Sequence, residues 1–223
     1  MARQGAVITG SILLALALES WWGALADTRA EAATLASLEA EIAATREEML
    51  RARGVHTTRC DATAALRNML GRSPADIDVR LLGTLTRDGA SVTSVDAPLG
   101  VLRGLISSGS LELIRDPTLR ATLAGWPARL TDHREAEIFI HDVVRDQWVP
   151  WLVANAVLTE DWGRGEARPP GASSARALAG IVQDRAFQNL VMMQDYYCRF
   201  VLDESEQLEV DIAELQRMVS RDP

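Results

Sequence analysis

The sequence predicts an all-α protein: an N-terminal transmembrane helix continuing into an antiparallel bundle of three long helices with two or three short ones. Three observations carry this. Residues 6–26, AVITGSILLALALESWWGALA, form one apolar run. At about 1.5 Å per residue, a helix of that length spans roughly the 30 Å of a bilayer's hydrocarbon core. Beyond it, apolar residues recur at mostly helical spacing. No stretch alternates like a strand between turn signals, and residues 91–95, Ser-Val-Thr-Ser-Val, are too short to build a sheet alone.

The boundaries drawn from hydropathy are an anchor over residues 1–26 and a helical domain over 27–223. Trp21 and Trp22 stand where a membrane–water interface favours Trp. Ala24-Leu25-Ala26 also fits a signal-peptidase site, but bulky Trp precedes it and the helical pattern continues through it. An uncleaved anchor is the better reading. Arg3 and the free amine lie before the run, and no positive excess follows it. The positive-inside rule then places the N-terminus in the cytoplasm and the domain outside, as a single-pass protein of a bacterial inner membrane. Glu19 sits next to the Trp pair, close enough to the interface to reach water. Ala6 and Gly10 are small residues four apart, which permits close packing of a second membrane helix. Glu19, Trp21, Trp22, Ala6 and Gly10 are therefore where the bilayer and a membrane partner are expected to touch the chain.

The following elements come in order. Leu35, Leu38, Ile42, Met49 and Ala52 continue the first helix toward Gly71, with Glu39, Glu41 and Glu48 on its other faces and Gly54 as a candidate bend. Ser73-Pro74 is a start signal, opening a short helix through Leu85 that Asp88-Gly89 ends. Asp96-Ala97-Pro98 opens another, to about Ile106. Asp116-Pro117 repeats the signal for a long helix to about residue 156, which Pro127 and Pro150 should kink or divide. Residues 159–174, TEDWGRGEARPPGASS, are a loop. A short helix near residues 175–180 leads into the last long one, about 183–220.

Composition excludes several functions. Apolar residues make up 48% and charged residues 24%, which is globular rather than disordered. The net charge is −8 with no basic cluster, so nucleic acid is not a partner. All basic residues are Arg, and they are scattered. No P-loop, dinucleotide fingerprint, zinc-protease motif or nucleophile elbow occurs, so no catalytic residue is assigned and no cofactor is implied.

Four groups of residues remain as candidate sites. His133, Glu137 and His141 stand at i, i+4 and i+8 on one helix and share a broad face, a spacing that can present metal ligands. The same spacing serves an exposed polar face, and only His56 lies elsewhere to complete a site, so no metal is assigned. Trp148 and Trp151 flank Pro150 and, with Tyr196 and Tyr197, can line a ligand pocket or simply form core. Asp195 is placed to accept from a buried hydroxyl. Cys60 and Cys198 lack zinc spacing; they either pair in an oxidising compartment or are two separate buried side chains. Gly109, Arg115 and Asp116 read as a structural junction: Gly109 takes positive φ, and Asp116 caps the next helix.

That junction also carries a resemblance. Residues 105–116, LISSGSLELIRD, and an apolar span ending in Leu-Glu-Ser-Trp-Trp resemble a family of uncharacterised bacterial proteins with one N-terminal transmembrane helix and a helical domain of unknown function. The likeness runs over most of the chain and implies a membrane-anchored helical protein, without an activity or cofactor. The expected function is protein–protein interaction, as an accessory or scaffold subunit of a membrane or envelope complex, with a protein partner or a second copy of the chain. An extracytoplasmic ligand-binding or sensory bundle is the alternative, and a metal-dependent enzyme the third reading.

Overall fold

The computed structural model describes the backbone of residues 2–155 and 172–220, and the side chains of residues 13–155 and 175–220. Every regular element among the described residues is helical, and none is a strand. The long helices are α1 (Ala2–Arg67), α4 (Pro117–Val143) and α7 (Arg185–Val219). The shorter ones are α2 (Val79–Gly89), α3 (Gly100–Ser108), α5 (Val149–Asn155) and α6 (Ala172–Gly180). Single 3-10 turns occupy Pro74–Asp76, Ser110–Leu113 and Ile181–Gln183. The loop expected over 159–174 lies outside the described residues as far as 171.

Packing divides the chain into two units. One comprises Met1–Ala44, Pro98–Pro127 and Ile212–Pro223; the other comprises Thr45–Ala97 and Ala128–Asp211. The hydropathy boundary at residue 26 is a different division, and α1, α4 and α7 each contribute to both units.

In the first unit the buried apolar residues are Leu35, Leu38 and Ile42 of α1, Leu102 of α3, Leu119, Leu123 and Trp126 of α4, and Ile212, Leu215 and Val219 of α7. Their three- and four-residue spacing is the helical stripe read from the sequence. Upstream, every described side chain from Leu13 to Ala30 is exposed except the half-buried Leu25, and burial begins at Glu31. Among the described residues no helix is long and apolar enough to cross a membrane. The side chains of residues 6–12, including Ala6 and Gly10, lie outside those described.

Several local expectations need correction. Gly54 does not bend α1, which runs through it to Arg67; Gly71 then turns the chain at φ 73°. Ser73-Pro74 opens only a 3-10 turn. The helix behind it starts at Val79, where the Asp78 carboxylate accepts from Arg80 and Leu81 N–H. Asp96-Ala97-Pro98 does not start α3 either. Its first residue is Gly100, and Leu99 before it provides no side-chain cap. The cap comes from Glu41 of α1, whose oxygens accept from Val101 N–H at 2.6 Å and Leu102 N–H at 3.0 Å. A residue that the periodicity assigns to an outer face thus satisfies the orphan donors of another helix. Glu41→Ala should cost about 1 kcal/mol, read as a lower denaturant midpoint; an unchanged midpoint would mean that water serves α3 equally well.

The two prolines act differently. Pro127 sits inside α4 without ending it. Ahead of Pro150 the chain forms a π turn over Val144–Trp148, in which Val149 N–H reaches Val144 C=O. The wider turn accommodates a ring that cannot donate and would crowd the preceding carbonyl.

The Gly109 junction behaves as expected. Gly109 has φ 73° and ends α3, and the Asp116 carboxylate accepts from Thr118 N–H at 2.7 Å and Leu119 N–H at 3.3 Å. Arg115 Nε lies 3.2 Å from the buried Glu31 carboxylate, which also takes Arg115 N–H.

Candidate functional site

The second unit holds a buried polar cluster built from α1, α4 and the segment 91–95 that follows α2. His56 and Arg59 of α1 and His133 and Glu137 of α4 are all almost completely buried. The i, i+3 pair on α1 and the i, i+4 pair on α4 each present two polar side chains to one side. Arg59 Nη2 donates to His56 Nδ1 at 3.2 Å, and His56 Nε2 lies 3.2 Å from Glu137 Oε1. Arginine can only donate, so Nδ1 is the acceptor and Nε2 carries the proton it gives to Glu137. The result is a directed chain from guanidinium through neutral imidazole to carboxylate.

Glu137 also accepts from Val95 N–H at 3.0 and 3.2 Å. Its Oε1 stands 3.5 Å from His133 Nε2, an ion-pair distance; neither ring nitrogen of His133 has a hydrogen-bond partner within the protein.

Electrostatics follow from burial and partners. Burial pushes the His56 imidazolium down and the adjacent Arg59 charge adds to this, only partly offset by the bond to Glu137. Burial pushes Arg59 down to about 10, against the pull of Glu137. Burial would raise the Glu137 carboxyl, but the close imidazoles of His133 and His56, with their charges, outweigh it and hold the group down to about 2. At neutral pH the site therefore contains the Glu137 anion, the Arg59 cation and a neutral His56 between them.

Two of these groups, Arg59 and Glu137, hold the segment 91–95, and His141 joins them. Arg59 Nη1 donates to Ser91 C=O at 3.1 Å, His141 Nε2 to Thr93 C=O at 2.8 Å, and Glu137 takes Val95 N–H. From the outer side, Arg51 donates to Thr93 Oγ1 and Ser94 C=O. A segment without helix or strand must satisfy its backbone elsewhere, and here side chains from two helices do so.

The candidate residues can now be placed. Of the set His133, Glu137 and His141, the first two meet, joined by His56, while His141 turns to the segment backbone. They are an interior cluster and not an exposed face. Among the described residues no group of three or more His, Cys, Asp and Glu is arranged to hold a metal ion. Glu137 already has its oxygens engaged by a backbone N–H and an imidazole.

The four aromatics do not share a pocket. Trp148 is fully buried, donates from Nε1 to Thr86 C=O at 3.2 Å and packs on Phe187 at 5.7 Å. Trp151 lies against the other side of that contact, 5.0 Å from Phe187. Tyr197 stacks instead on Phe139 at 6.1 Å, with Tyr196 edge-on beside it. Trp151 borders a cleft of about 390 Å3 with Gln147, Ala186, Asn189, Leu190 and Met193. Asp195 accepts from Arg67 and Arg199, not from a tyrosine hydroxyl.

Cys60 and Cys198 form a disulfide with Cα atoms 5.4 Å apart, linking α1 to α7. Gly109 and Arg115 border a polar depression of about 440 Å3 with Asp27, Ser108, Ser110, Glu112 and Leu113. Glu19 is exposed, as are Trp21 and Trp22, whose rings meet edge-on at 5.8 Å.

Sequence reasoning missed Arg59 and gave His56 only a passing place. The available signal was two polar residues three apart on the apolar stripe of α1, where a solvated face would not put them. Comparison with family models, with characterised proteins and with solved structures finds no match.

Proposed function

We propose that this chain is a single-span, membrane-anchored helical bundle that acts by protein–protein interaction, as an accessory or scaffold subunit of a bacterial membrane or envelope complex. One observation carries the reading. Leu13, Leu14, Leu16, Leu18, Trp21 and Trp22 are all between 46% and 63% exposed along one stretch of α1. So much apolar surface on every side of a helix is costly in water and is relieved by lipid or by a membrane partner. Burial starts at Glu31, two to three turns past the Trp pair, as fits a helix passing from bilayer to folded domain.

The disulfide supports an extracytoplasmic domain, because structural disulfides persist in oxidising compartments. The buried polar cluster supports a scaffold, since Arg59, His56 and Glu137 are engaged with one another and with a backbone segment. The cleft beside Trp151 favours a second reading, an extracytoplasmic ligand-binding bundle.

The test uses the full chain in a bacterial host. It should stay with membranes after alkaline carbonate washing, and a thiol reagent added to intact cells should find no free cysteine. Mild-detergent purification should bring down one stoichiometric partner or a homo-oligomer. Release of the full chain by carbonate would overturn the anchor. A clean monomer without partner would overturn the interaction, and stabilisation by a small molecule lost on Trp151→Ala would favour the ligand-binding alternative.

A further inference from the structure

We propose that the Arg59–His56–Glu137 chain is an acid-sensitive latch: protonation of His56 breaks its contact with Arg59 and releases the Ser91 end of the segment 91–95. His56 Nδ1 is an acceptor for Arg59 Nη2, and the same guanidinium holds Ser91 C=O through Nη1. A proton on Nδ1 turns this acceptor into a donor facing a donor, with two cations side by side in a buried site. The bond is lost, and Arg59 must turn away from the imidazolium. Because one guanidinium serves both His56 and Ser91, the segment loses its Ser91 anchor in the same event.

The surroundings favour this outcome. His56 is faced from α1 by Arg59 and from α4 by Glu137 and His133. Segment 91–95 presents backbone groups and hydroxyls, and α7 contributes Cys198 to the disulfide with Cys60, which does not titrate. Among the described residues Glu137 is the anion in contact, and Val95 N–H already occupies it. Its carboxyl is lowered to about 2, so Glu137 keeps Val95 N–H while the imidazole charges. Both outer anchors, Arg51 and His141, hold the middle of the segment and leave Ser91 and Val95 to the inner cluster.

The sign follows from linkage. His56 has a lowered pKa in the closed state and returns to about 6.5 when the segment opens. The open state then binds more protons, so opening becomes easier as pH falls below about 6.5. One proton limits the change in the opening constant to about tenfold per pH unit.

Hydrogen exchange on the full chain in detergent micelles, corrected for the pH dependence of intrinsic exchange, tests this. Between pH 6.5 and 4.5 the Ser91 amide, whose bond to Asp88 C=O adjoins the released carbonyl, should lose protection progressively, while the Val95 amide, held by Glu137, and amides in the middle of α7 stay protected. In His56→Gln the side-chain oxygen can accept from Arg59 and the amide can donate to Glu137, so the segment should stay closed over the same range. His133→Gln should keep the wild-type response. Following the His56 ring proton by NMR in the unmodified protein adds a readout that needs no variant: its titration and the loss of Ser91 protection should coincide. Unchanged protection in the wild type, the same loss in His56→Gln, abolition of the response by His133→Gln, or ring titration without amide exposure would each overturn the latch.

Discussion

Glu137→Ala is expected to lower the stability of the protein by about 3–5 kcal/mol, measured as a shift of the urea midpoint at pH 7. The side chain is 1% exposed and, among the described residues, carries the negative charge in contact with His56 and His133. Removing it leaves Arg59 as a buried cation without its counter-charge, and leaves Val95 N–H and His56 Nε2–H without acceptors. Each lost partner strands a desolvated donor, which costs more than the bond itself contributed. Glu137→Gln keeps one acceptor oxygen and the side-chain volume, so its loss should be smaller. Glu135→Ala, two residues away and exposed, should stay within about 0.5 kcal/mol of wild type. A Glu137→Ala variant as stable as wild type would show that the cluster does not hold its segment.

The same carboxyl sets an acid limit. Its folded pKa is lowered from 4.5 to about 2. Its contribution is therefore present above pH 4.5 and lost as pH falls toward 2, below the window assigned to His56.

The second large effect concerns the disulfide. Replacing both Cys60 and Cys198 with serine should cost about 2–5 kcal/mol, because the bridge closes a loop between residues 138 apart and restricts the unfolded chain. For a chain of this size that is a drop in Tm of roughly 5–15 °C. Both cysteines are buried, so the double variant is a cleaner comparison than adding reductant to the folded protein. Equal stability of the two forms would mean that the unfolded chain is already restricted or that the thiols pack as well as the bridge.

The parts of the fold legible in the sequence were those set by neighbours along the chain. The helical stripe of α1 from Leu35 to Ala52 is buried as its spacing indicated. Asp116 caps α4 and Gly109 takes positive φ because both depend on the conformation of two or three adjacent residues. Pro150 disturbs its helix for the same local reason. Where local signals misled, a distant group had taken over. The start of α3 moved from Pro98 to Gly100 because Glu41, far away in sequence, supplies its cap.

The site was legible only in halves. His133 and Glu137 could be seen to share a face, but that spacing alone suits a solvated surface, a metal or a buried cluster equally. What decides among them is what lies opposite. No local pattern tells that His56 and Arg59 of α1 face that surface, or that the Ser91–Val95 backbone fills the remaining hydrogen bonds. The Trp148 and Tyr196 sets show the converse, since two aromatic groups that looked compatible with one pocket pack on different partners, Phe187 and Phe139.

By itself, then, the sequence determined that this protein is helical, where most of its helices run, and that its N-terminal stretch is apolar. Those follow from periodicity and composition, which act within a few residues. Only the tertiary structure decided that Cys60 meets Cys198, that the three polar residues of α4 divide between an interior cluster and a backbone anchor, and that Arg59 reaches His56 and Ser91 together. Hydrogen bonds and buried charges are settled by distances of a few ångströms between residues far apart in the chain. Those distances exist only once the helices have packed.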